Sequence, residues 1–80
     1  MELEERGWPD LRASQASLVL NVDRRFGTRL TELARRAGVT KQAMMIVVDE
    51  LEVRGLVRRT PDPEDGRAKV VRLTARGRTF

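Results

Sequence analysis

Eighty residues, 40% hydrophobic and 35% charged, describe one small globular domain with a core thin enough that a partner subunit often supplies missing burial. Neither cysteine nor histidine occurs, which excludes disulfides, thiolate or imidazole metal sites and nucleophile–histidine catalysis; no metal, cofactor or enzymatic activity is expected. The net charge of +4 is unevenly placed: residues 1–53 hold eight basic and nine acidic groups, whereas residues 54–78 hold eight basic and three acidic. A positive field gathered at one end favours a polyanionic partner, although scattered charge also serves ordinary solvation.

No apolar run approaches the roughly 20 residues needed to span a bilayer, and no basic-then-apolar leader opens the chain. A bacterial cytoplasmic location, without membrane association, is the expectation. Residues 1–6 read as the last turn of a helix, broken at Gly7 and Pro9, and Trp8 reads as a packing anchor. Ser14 is placed to cap a helix over residues 15–24, with Leu18, Val19, Val22 and Phe26 at helical spacing and Gly27 as its stop. Residues 28–30 form a short extended link. Thr31 is expected to cap a second helix, 32–37, burying Leu33, Ala34 and Ala37. Gly38 supplies the positive-φ turn, and Val39 plugs the corner.

Thr40 caps a third helix running to about residue 54, with one apolar stripe at Met44, Val47, Val48 and Leu51. Gly55 ends it. The periodicity then becomes extended: a strand over 56–60, turn residues over 61–66, and a second strand over 68–73 make a hairpin. Thr74 opens a further helix from Ala75 that the end of the sequence at Phe80 cuts short, the pattern of a truncated chain. The expected architecture is therefore α+β, mainly α: a single winged helix-turn-helix domain over residues 1–80. It comprises three helices plus a two- to three-stranded wing, with the helix-turn-helix over about 31–54 and the wing over about 56–73.

This architecture divides the labour of binding double-stranded DNA. A helix N-terminus presents unpaired N–H groups and partial positive charge, so Thr40, Lys41 and Gln42 suit a phosphate clamp while Gln42 reaches base edges in the major groove. Met45 and Ile46 share the outward face; they suit thymine methyls or, equally, packing against a neighbouring helix or subunit. Arg67, next to Gly66 at the hairpin tip, suits the narrow minor groove, with Asp65 pairing to it and fixing its direction. The same three residues also make an ordinary polar turn. Lys69, Arg58, Arg59 and Arg72 on the strands add phosphate contacts or keep the hairpin soluble. Asp49, Glu50 and Glu52 are expected to balance Arg54 and its neighbours. From a different class, the alternative is a winged helix used as a protein-interaction module without DNA binding.

From Arg29 to Gly77, the segments T-E-L-A, V-D-E-L-E-V-R-G-L-V, D-P-E-D-G-R and V-R-L-T closely resemble the winged-helix core of the MarR (multiple-antibiotic-resistance-regulator) family. W-P-D-L-R resembles the segment preceding that core. The resemblance implies a transcriptional repressor that binds a palindromic operator as a homodimer and is relieved by a small, often aromatic, effector. It places Thr40, Lys41, Gln42 and Met45 on the recognition helix and Asp65 and Arg67 at the wing's Asp–Arg pair. Met45 and Ile46 depart from the Ser and Arg common there, and the family's dimerisation helices are largely missing from these residues.

Overall fold

A computed structural model describes residues 11–79. The expected helical turn over residues 1–6, the packing role of Trp8, and Phe80 lie outside the described residues. The order is helix α1 (Ala13–Asn21), strand β1 (Thr28–Arg29), helix α2 (Leu30–Ala37), helix α3 (Lys41–Val53), strands β2 (Val57–Pro61) and β3 (Lys69–Leu73), and a short helix α4 (Ala75–Arg78).

Helices α1 to α3 form where an apolar stripe meets a local start signal, but two start signals differ from expectation. Ser14 lies inside the first turn of α1 because the Gln15 side chain accepts the Arg12 N–H at 2.9 Å and Ala16 N–H already bonds Arg12 O. The helix stops at Asn21, not residue 24. Asp23 Oδ1 accepts the N–H groups of Arg25 and Phe26 at 2.9 and 2.7 Å, and Gly27, at φ +77°, closes this turn instead of ending the helix. Phe26 therefore leaves the periodicity that buries Leu18, Val19 and Val22; it is 65% exposed, its ring lying under the Arg25 guanidinium.

Thr31 likewise does not cap α2. Strand β1 hands the chain to the helix directly through Arg29, whose extended backbone is the N-cap, so the helix begins at Leu30. Leu33 and Ala34 are buried as expected, whereas Ala37 and Val39 are exposed; with Val47 they line an apolar cleft bounded by α1, α2 and α3. Gly38 adopts the left-handed turn at φ +70°, which only glycine enters without a Cβ penalty. Thr40 caps α3: its Oγ1 accepts the Ala43 N–H at 3.1 Å.

The sheet is antiparallel in the order β1-β3-β2. The extended link thus becomes a third strand, with Thr28 opposite Val71 and Arg29 opposite Val70. Pro61, which has no N–H, ends β2 on the sheet edge and pairs with Lys69. Strand β2 is shifted one residue from expectation, with Leu56 fully buried ahead of it, and β3 starts one residue late but ends at Leu73 as expected. Met44, Val48 and Leu51 from α3 meet Leu18, Leu33, Val57 and Val71 in one core that joins the helices to the sheet.

On the exposed side of α2, Glu32 bonds Arg35 and Arg36 at i+3 and i+4. Hydrogen bonds from Arg35 first, then Arg36, hold its carboxyl at about 2, against an ordinary 4.5. The folded state thus prefers the charged carboxylate. Its contribution is complete above the unfolded value near 4.5 and is lost as pH falls toward 2. Glu32→Gln is expected to flatten the melting temperature against pH between those limits. Equal slopes for the variant and the parent chain would remove Glu32 from the acid response.

Candidate nucleic-acid interface

Helices α2 and α3, joined through Gly38, place the first turn of α3 at the surface. The first amides of a helix lack intrahelical partners and carry partial positive charge, and this first turn contains no acidic residue to cancel it. Thr40, Lys41 and Gln42 are exposed there. Because the Thr40 oxygen is already accepting from Ala43, its hydroxyl proton remains available to donate outward. One turn on, Met45 and Ile46 are 37% and 60% exposed, opposite the buried stripe of Met44, Val48 and Leu51.

The second group stands in the β2–β3 loop. Asp62 N–H bonds Ala68 O at 3.0 Å and Ala68 N–H bonds Asp65 O at 2.9 Å, so the loop is closed by its own backbone. Asp65 Oδ1 accepts the Arg67 N–H at 3.1 Å and lies 3.8 Å from Arg67 Nε. The arginine side chain itself is 97% exposed. Asp65 thus orients the backbone at Arg67 more than it holds the guanidinium, an exposed ion pair of this length being weak. Gly66 sits at the open end without a positive φ. Lys69 is exposed at the start of β3.

The Thr40, Lys41, Gln42 and Met45 set shares one helix end, and the Asp65, Arg67 and Lys69 set shares the wing. Among the described residues no hydrogen bond or ion pair joins the two sets directly; α3 and the wing meet through β2. Two anchors, neither of them expected, hold the wing to the rest of the fold, one to β1 and one to α3. Arg29 Nε on β1 bonds Asp62 Oδ2 at 2.5 Å at the base of the wing loop. Asp62 is only 7% exposed, and the Glu64 N–H, with Arg29 second, pulls its carboxyl below the usual range.

Arg59 on β2 bonds Asp49 and, at 2.6 Å, Glu52 of α3, while Glu52 Oε2 accepts the Arg59 N–H at 3.1 Å. Arg59 is therefore not a free phosphate contact. Arg72 donates to Thr60 Oγ1 at 3.1 Å. In the acidic run on α3, Glu50 takes Arg12 and, at 3.0 Å, Gln15, with Arg54 adding a weaker electrostatic pull, and Arg59 takes Asp49 and Glu52. Such pairs connect residues up to 38 positions apart, and no spacing rule in the chain announces them.

A helix pair with an exposed, positively polarised second helix, followed by a basic hairpin paired to a third strand, defines a winged helix-turn-helix protein. Residues 10–68 match the profile of the MarR family. The chain belongs to that family.

It is 48% identical over 54 residues to the HTH-type transcriptional repressor Rv2887 of Mycobacterium tuberculosis, an alignment covering 68% of this chain and 39% of that protein. It is 36% identical over 69 residues to the transcriptional regulator HosA of Escherichia coli, covering 86% and 51%. Among solved structures, CouR of Rhodococcus jostii bound to p-coumaroyl-CoA superposes with a TM-score of 0.82 at 35% identity over 96% of this chain and 52% of CouR. CouR bound to a 23-mer DNA duplex superposes at 0.80 with 36% identity, covering 88% of this chain and 49% of that one. The chain thus spans from about two fifths to about half the length of these relatives. No helix among the described residues is long and apolar enough to cross a membrane.

Proposed function

We propose that the chain is the DNA-reading part of a MarR-type transcriptional repressor. It binds a palindromic double-stranded operator as a homodimer in the full-length protein and is released by a small aromatic effector. It acts in the bacterial cytoplasm, at the nucleoid, and catalyses no reaction. The observation that carries this reading is the open end of α3, where Lys41 and Gln42 stand exposed on a first turn free of acidic residues. The exposed Arg67 of the wing adds a minor-groove contact, with Asp65 orienting its backbone and Thr40, Met45 and Lys69 flanking the two groove contacts. CouR, which binds a DNA duplex and an aromatic acyl thioester, supports both the nucleic-acid partner and the effector class.

Selection of bound sequences from random duplex DNA tests the reading. Enrichment of an inverted repeat, with affinity falling steeply as salt rises, is the expected result. On the selected duplex, Arg67→Ala is expected to weaken binding by roughly 1 to 3 kcal/mol. An unchanged affinity would remove Arg67 from the groove.

The exposure of Met45 and Ile46 on the reading face favours a second reading, a protein-interaction module. Exchanging them for Ser and Arg together decides between the two. Tighter DNA binding supports the repressor; loss of a partner complex with DNA binding unaffected supports the module.

A further inference from the structure

Asp49 occupies an awkward place. It follows Gln42, Met45 and Ile46 at helical spacing, so the outward face of α3 ends in a carboxylate that is 56% exposed. A negative charge there repels phosphates that approach the same face, and the repulsion is largest at low salt. Among the described residues, the fold meets this charge with Arg59, brought from β2. Arg59 is secured first by Glu52, which accepts both its guanidinium, at 2.6 Å, and its backbone N–H, at 3.1 Å. The same Nη2 that bonds Glu52 also bonds Asp49. Only about a quarter of the Arg59 side chain is exposed, against more than half of Asp49. The guanidinium therefore lies between the wing's stem and the end of the reading face.

We propose that Arg59 is a positioning residue for DNA binding. Through Glu52 it locks α3 to the β2 stem of the wing, and through Asp49 it cancels the charge at the end of the reading face, so that the helix face and the wing approach one duplex as a unit. The inference rests on the DNA-binding reading above. It assigns Asp49 no base contact. One terminal nitrogen, Nη2, serves both carboxylates, and a guanidinium stays charged in this half-buried place.

The experiment uses a selected duplex and four proteins: the parent chain, Arg59→Gln, Asp49→Asn and the double variant, each measured at two salt concentrations with melting temperature as the folding control. Arg59→Gln is expected to lose about tenfold in affinity, with the larger loss at low salt, and Asp49→Asn in that background to regain most of it. A purely structural role predicts no recovery, since the second substitution restores no contact. Asp49→Asn alone, a surface change that leaves the Glu52 anchor in place, keeps the test decisive should Arg59→Gln melt below the assay temperature. It is expected to bind as tightly as the parent chain or more tightly. Weaker binding by that variant, or absence of recovery in the folded double variant, overturns the role of Arg59 while leaving the repressor reading intact. Failure of the parent chain to select any duplex overturns both.

Discussion

Leu51→Ala is expected to lower the melting temperature by at least roughly 10 °C. Leu51 is fully buried on the inward side of α3, in the cluster that also holds Val48, Leu56 and Val71. Truncating a buried leucine removes its transfer free energy and leaves a cavity, costing on the order of 2 to 5 kcal/mol. A domain of this size has only roughly 4 to 12 kcal/mol in total, and each kcal/mol moves the midpoint by about 4 to 8 °C. Because the same helix carries Lys41 and Gln42 on its outer side, loosening its seat also blurs the geometry with which those residues meet a groove. Thermal denaturation followed by circular dichroism measures the effect, with Leu20→Ala as the control, since Leu20 is 68% exposed and lies outside the core cluster. Equal melting of the two variants would mean that α3 is not seated on this core.

Gly27→Ala is the second large effect expected, and for a different reason. The residue has φ +77°, where a side chain is strained, and a Cβ built there would stand 2.5 Å from Val70 Cγ1 and 2.7 Å from Val71 O. The carbonyl belongs to the central strand and cannot step aside. Strain of about 1 to 3 kcal/mol adds to an overpacking cost of similar size. Strand β1 must then move away from β3, and with it goes Arg29, whose bond to Asp62 steadies the base of the wing loop. The expected signature is a large drop in melting temperature together with faster amide exchange in the β1–β3 ladder. Retained protection at those amides would show that the turn accommodates a methyl group.

Much of the frame was legible from local rules. Gly38 after a short helix, Thr40 before an apolar stripe, and the change from helical to alternating periodicity after Gly55 each report on residues within a few positions, and each structure formed there, β2 one residue later than expected. The exposed end of α3 and the exposed Arg67 followed from the same rules. The errors were local too, but decided by competition. At Ser14 the Gln15 side chain had already satisfied the N–H of an earlier residue. At Phe26 the Asp23 carboxylate captured two backbone N–H groups and turned the chain before the helical period reached the aromatic ring. At Thr31 a paired strand delivered the chain into the helix with no residue left over for a cap.

What the order of residues determined alone is the set of elements and the outward identity of the reading face, because capping, turn formation and amphipathic periodicity act over one or two helical turns. Which cations are free and which are spent was decided only by the tertiary structure. Arg58, Arg59, Arg67 and Arg72 look alike along the chain, yet packing of β2 on α3 binds Arg59 to two carboxylates while Arg67 is left exposed. Charges distant in sequence interact according to where the core brings them, and burial of the apolar stripes, not any charge pattern, sets those distances.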